Sequence, residues 1–131
     1  MTQTLTLVCK LQPSDEQVQR LDETLEAFAA ACNWVHETVP SRIRNKDRMQ
    51  AMVYYDVRER FGLSANLAIQ AIRRVAMNRK AAPTNKSRVN TFDAGSIQYD
   101  ARIFSFRESD WTVSLTLLHA RERFALSPAN Y

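Results

Sequence analysis

Between Gln12 and Asp15 the apolar residues change spacing from every second position to every third or fourth, and this switch constrains the fold more than any other feature. In Thr4 to Gln12 (TLTLVCKLQ), Leu5, Leu7, Cys9 and Leu11 share one face. Thr4, Thr6, Val8, Lys10 and Gln12 share the other, as in a half-buried strand. Pro13 stops the strand. Ser14-x-x-Gln17 is a capping-box signature, in which the Ser14 hydroxyl accepts from the Gln17 backbone N–H and the Gln17 amide reaches back. A helix is predicted from Asp15, with Val18, Leu21, Leu25, Phe28, Cys32 and Val35 as its apolar seam. Asp15, Glu16, Asp22, Glu23 and Glu26 load its first half with negative charge, which suits the positive end of the helix dipole.

Pro40 ends that helix or lies just beyond it. A second runs from about Lys46 to Phe61, with Met49, Met52, Val53 and Val57 at helical spacing, and Gly62 stands where a left-handed C-cap is needed. Ser64 is the N-cap of a third, Ala65 to about Arg79. Its Ala65, Ala68, Ala71, Ile72 and Val75 are predicted to face inward, and Asn66, Gln70, Arg73, Arg74 and Met77 outward. After a polar loop from Thr84 to Ser96, strand signals return at Ile103 to Arg107, Trp111 to Leu118 and Glu122 to Leu126. Glu108-Ser109-Asp110 and His119-Ala120-Arg121 read as hairpin links. A lone N-terminal strand is unstable, so Leu5, Leu7 and Leu11 require the C-terminal strands as partners. The expected fold is α+β: one small sheet or barrel from residues 1–12 and 83–131, with a three-helix lobe, 13–82, inserted after the first strand.

The charge is as unevenly distributed as the hydrophobicity. The chain of 131 residues is +4 overall, with 18 basic and 14 acidic residues, yet no Asp or Glu occurs from Arg60 to Phe92. Arg60, Arg73, Arg74, Arg79, Lys80, Lys86 and Arg88 all fall inside that stretch. Such segregation points to a polyanion partner. Arg42, Arg44, Lys46 and Arg48 form a second basic run, broken by Asp47. No stretch approaches ~18 uninterrupted apolar residues and Met1 to Lys10 lacks signal-peptide features, so a soluble, intracellular protein without membrane attachment is expected. Cys9 and Cys32 read as small buried apolar residues. Cys32 and His36, four apart on one helix, do not make a closed zinc site, and His119 has no nucleophile beside it. With Gly62 and Gly95 as its only glycines, the chain offers no phosphate-cradling loop. Trp34, Tyr54 and Tyr55 are candidates for base stacking, with Trp34 and one tyrosine expected in the core. Phe104 and Phe106 are expected in the core of the barrel.

Several segments carry a family resemblance. They are CKLQPSDEQ (Cys9 to Gln17), ACNWVHE (Ala31 to Glu37), VYYDVRERFGLSANLAIQAIRRVA (Val53 to Ala76), FDAGSIQYDARIFSF (Phe92 to Phe106) and the WTVSLTLL strand. In this order they resemble the N-terminal part of TnpB-type (OrfB) transposon-encoded RNA-guided nucleases, the group regarded as ancestral to type V CRISPR effectors. The resemblance implies a wedge-like, OB-like barrel interrupted after its first strand by a helical recognition lobe. In that family the lobes grip the guide RNA–target DNA heteroduplex and read a short flanking motif in duplex DNA. By position the matching readers are Asn66, Gln70 and the Tyr99-Asp100-Ala101-Arg102 segment. Amides pair bidentately with adenine, while Arg and Lys hold phosphates or guanine. Arg73, Arg74, Arg79, Lys80, Lys86 and Arg88, with Tyr99 and Arg102, complete the implied nucleic-acid-binding set.

The family cuts with a downstream RuvC-like domain carrying an Asp-Glu-Asp metal site, and this sequence stops at Tyr131 before any match to it. The expectation is a nucleic-acid-binding portion of a transposase-like nuclease, not an enzyme by itself. It needs no metal or cofactor and is cytoplasmic and nucleoid-associated. Its partners are guide RNA or duplex DNA, and in addition the RuvC-like domain or a full-length relative. The alternative is a protein-interaction or oligomerisation module that pairs between chains through the Val18 to Val35 seam and regulates a full-length relative.

Overall fold

The computed structural model describes residues 9–81, 91–95, 104–118 and 120–128. Strand β1 (Cys9–Gln12) leads into helices α1 (Asp15–Thr38), α2 (Lys46–Phe61) and α3 (Ala65–Ala81). Strands β2 (Phe104–Arg107), β3 (Thr112–Thr116) and β4 (Arg121–Pro128) follow. The sheet is antiparallel in the order β1-β4-β3-β2, with Leu11 opposite Leu126, Val113 opposite Phe124 and Phe106 opposite Val113. The fold is α+β, and the first strand pairs with the last. Among the described residues the sheet is open, with β1 and β2 as its edges. Leu5 and Leu7 of the expected first strand lie outside the described residues.

Local chemistry sets the helix ends. The Gln17 N–H donates to Ser14 Oγ at 3.3 Å and the Ser14 N–H to Gln17 Oε1 at 3.1 Å, closing the capping box. Val39 is extended (φ −83°, ψ 128°), as suits a residue before proline. Asn45 Oδ1 caps α2 by accepting from the N–H groups of Asp47 and Arg48 at 2.8 and 3.1 Å. Gly62 closes α2 in the left-handed region at φ 66°. Ser64 Oγ then accepts from the Leu67 N–H at 3.3 Å and starts α3.

Helix α1 serves two cores. Its second half places Phe28, Ala31, Cys32 and Val35 at 0 % exposure against Met49, Val53 and Val57 of α2 and Leu67, Ala71 and Val75 of α3. A large apolar side chain fully removed from water contributes about 1.5–3 kcal/mol. Its first half adds Leu21 to the sheet core of Val113, Leu117 and Phe124, with Leu11, Leu115 and Leu126 packed around them. Polar clasps hold the same join. Gln17 Nε2 donates to the Arg123 carbonyl at 2.9 Å, and the Leu118 N–H donates to Thr24 Oγ1 at 3.2 Å. The seam from Val18 to Val35 is thus largely consumed within the chain, with only Val18 exposed (41 %).

Helix α3 packs against both α1 and α2, and this corrects the single inward face read from its sequence. Leu67, Ala68, Gln70, Ala71, Ile72, Val75, Ala76 and Arg79 are all buried, leaving a strip of Asn66, Ile69, Arg73, Met77 and Lys80 toward solvent. Gln70 is not an outward amide. A second correction concerns the strands: Phe106 is 44 % exposed and lies outside the sheet core, because it sits on the edge strand β2. The Phe104 side chain lies outside the described residues. Among the described residues no helix is long and apolar enough to cross a membrane.

Candidate nucleic-acid interface

Arg79 is the most informative of the expected contact residues, because it is only 1 % exposed. Its Nη1 donates to the carbonyls of Pro40 and Ile43 at 2.9 and 2.8 Å. Its Nη2 donates to those of His36 and Val39 at 3.0 and 2.8 Å. The His36 and Val39 carbonyls lie at the end of α1, where helical partners run out and the negative end of the helix dipole favours a cation, and those of Pro40 and Ile43 lie in the loop that follows. The phosphate-binding role expected of Arg79 is therefore corrected to a structural one. It anchors the backbone of the loop that carries Arg42 and Arg44.

The other cations of α3 divide. Arg73 and Lys80 are exposed. Arg74 is half-buried, with its guanidinium 4.9 Å from the centre of the Phe28 ring, a cation–π contact that lowers its freedom to meet a ligand. At the same end of the helical lobe as Lys80, Arg42, Arg44, Lys46 and Arg48 are all exposed. Asn66 is partly exposed on the α3 strip, whereas Gln70, at 6 %, is buried. The structure thus separates the two amides expected to read a flanking motif. Lys86, Arg88, Tyr99 and Arg102 lie outside the described residues.

An open groove of about 500 Å³ runs beside this strip, lined by Asp47, Gln50, Ala51, Tyr54 and Tyr55 of α2 and Ile69 of α3. Tyr55 is 79 % exposed, and Tyr54 meets it edge-on with ring centres 5.1 Å apart. Trp34 makes an edge-to-face contact with Phe61 and lies under the Arg60 guanidinium at 4.9 Å, so its ring is already engaged. His36 sits edge-on to Phe92. Cys32 donates to the Ala71 carbonyl, its thiol pushed up to about 12 chiefly by burial. Among the described residues no three His, Cys, Asp or Glu side chains gather where they could hold a metal ion.

The face of the sheet turned away from α1 is a second cationic surface, not singled out in the sequence. Register places Lys10, Arg107, Arg121 and Arg123 on it with Thr112, Ser114 and Thr116, and no Asp or Glu among the described residues of the strands. Arg121 Nε donates to Ser114 Oγ at 2.7 Å and Arg123 Nη1 to Thr112 Oγ1 at 2.9 Å, which lays both guanidiniums on the hydroxyl ladder. The alternation of Thr112, Ser114 and Thr116 with Val113, Leu115 and Leu117 was the available signal. It needed the register with β4 to acquire charge.

No family model matches the chain, and no curated protein or solved structure matches it. The resemblance to TnpB-type nucleases rests on the quoted sequence segments.

Proposed function

We propose that the chain is a nucleic-acid-binding module, the wedge-plus-recognition portion of a TnpB-like RNA-guided nuclease. In this reading the four-stranded sheet is the wall of the wedge-like barrel and the three helices are the recognition lobe. The observation that carries it is the set of exposed cations, Arg42, Arg44, Lys46 and Arg48, a run interrupted by Asp47, together with Arg73 and Lys80 on α3. Cations so arranged neutralise phosphates and release their counterions. The module contacts guide RNA and target DNA, with Asn66 on the exposed strip as the amide able to face a base edge. Binding to duplex DNA and to structured RNA across a salt series tests this. The expected slope of log K against log salt is about −3 or steeper, since each phosphate contact contributes roughly 0.7–0.9. A flat slope, or no binding at low salt, would refute the reading.

The alternative, self-association through the α1 seam, loses its surface, because Phe28, Cys32 and Val35 are fully buried within the chain. Sedimentation separates the two readings. A salt-insensitive dimer without nucleic-acid affinity would reinstate self-association.

A further inference from the structure

The turn between β2 and β3 holds a bulky aromatic residue in a backbone conformation that suits glycine. Trp111 has φ 50°, the one positive φ among the described non-glycine residues. Side chains around it hold that geometry. Asp110 accepts from Thr112 Oγ1 at 2.7 Å and from the Arg107 guanidinium, whose Nε lies 2.9 Å away. The Trp111 carbonyl accepts from the Leu126 N–H at 2.9 Å, tying the turn to β4. The Arg107 and Thr112 hydrogen bonds hold the Asp110 carboxyl down to about 2.

The indole so placed lies outside the sheet core. Trp111 is 39 % exposed and Phe106 is 44 % exposed, and neither belongs to the sheet core. Their rings meet edge to face, 5.8 Å between centres and 72° between planes. An edge-to-face contact covers at most one face of the indole. Cations lie nearby in the chain and the register, on the face opposite to Phe106: Arg107 precedes the turn, and Arg123 is bonded to the same Thr112 hydroxyl that binds Asp110. An arginine has five N–H donors, so one hydroxyl bond leaves Arg123 able to hold a phosphate.

We propose that this hairpin end is a stacking site for an unpaired nucleobase, with Trp111 under the base and Arg123, reached across the end of the strand, on an adjoining phosphate. The occupant is single-stranded nucleic acid. In a duplex each base is already stacked on both sides, whereas an unpaired base gains an aromatic partner whatever its identity. The site rests on the nucleic-acid-binding reading and adds to it a contact that depends on the base and not on charge alone.

The test uses the full chain and two probes of equal length, oligothymidylate and an abasic sugar-phosphate oligomer. Trp111→Gly removes the ring and puts at φ 50° the residue that tolerates it best, so its unfolding temperature should be unchanged or higher. Its affinity for oligothymidylate should fall about tenfold, within the range measured for loss of one stacked base, with the abasic oligomer bound as before. Trp111→Phe should keep most of the oligothymidylate affinity. Oligothymidylate, and not the abasic oligomer, should quench the tryptophan emission that disappears in Trp111→Gly. Equal affinities of the Trp111→Gly and unaltered chains for oligothymidylate would overturn the stacking site alone, provided both oligomers bind. A parallel loss of both oligomers, or a fall in unfolding temperature with no change in affinity, would overturn it too and mark the indole as a packing group. Failure of both oligomers to bind at low salt would overturn the stacking site, and failure of duplex DNA and structured RNA as well would refute the broader reading.

Discussion

The Arg20 guanidinium meets the Glu122 carboxylate through two hydrogen bonds, at 2.5 and 2.6 Å, and so ties the first turns of α1 to strand β4. The hydrogen bond from Arg20 holds the Glu122 carboxyl below its ordinary value of 4.5. A carboxylate with a depressed folded pKa adds stability that is complete above its unfolded pKa and lost as pH falls through the folded one. The unfolding temperature should therefore drop below about pH 4.5, and Glu122→Gln should shrink that drop. Arg20→Leu should return the Glu122 carboxyl toward 4.5, readable from its carboxyl carbon shift against pH.

Arg79 should behave as a core residue, not a ligand contact. Arg79→Met strands the carbonyls of His36, Val39, Pro40 and Ile43 in a site with little water, at a cost of about 3 kcal/mol or more. Chemical denaturation measures this. Arg79→Lys should recover little, since one ammonium does not reproduce the two-pronged geometry of the guanidinium.

Arg73 and Lys80 should show the opposite profile. The double change to alanine should leave stability within about 0.5 kcal/mol, as for ordinary surface positions. It should also reduce the salt slope of DNA binding by about 1.8, the equivalent of two phosphate contacts. An unchanged slope would remove the α3 strip from the interface.

At Gly62 a side chain would meet nothing within 4 Å, so the backbone alone sets the effect of substitution. Gly62→Ala should cost about 1 kcal/mol for holding φ 66° with a Cβ, and Gly62→Asn less. Thermal unfolding of the two variants checks the order.

Asn33 brackets Phe92 from α1: its Nδ2 donates to the Phe92 carbonyl at 2.9 Å and its Oδ1 accepts from the Phe92 N–H at 2.6 Å. Asn33→Ala should raise hydrogen exchange at the Phe92 amide well above the rates of neighbouring α1 amides. Unchanged protection would mean that ring contact with His36 suffices.

What was legible in the sequence is what neighbours decide. Ser14 and Gln17, Gly62, and Ser64 each act within four residues, and the helix boundaries they imply are those observed. Burial on α3 is settled elsewhere, by which of its sides α1 and α2 cover. Arg79 nonetheless carried a signal. It lies four residues after Val75 and seven after Ile72, inside the apolar stripe, where a cation must find carbonyls or be expelled. Gln70 had none, since its position became interior only once a second helix closed over it. The cationic sheet face was hidden for a similar reason: Arg121 and Arg123 join Thr112 and Ser114 only through the β3–β4 register.

The pairing of the first strand with the last also sets an order of events during synthesis. Leu11 waits for Leu126 and Lys10 for Ser127, whereas the helical core from Phe28 to Ala76 is assembled from residues that emerge well before them. A nascent chain can therefore shelter its helices while β1 stays an unsatisfied edge, with Arg20 and Thr24 already displayed for a strand not yet made. That interval, rather than the finished fold, is where the protein is most open to capture by other strands.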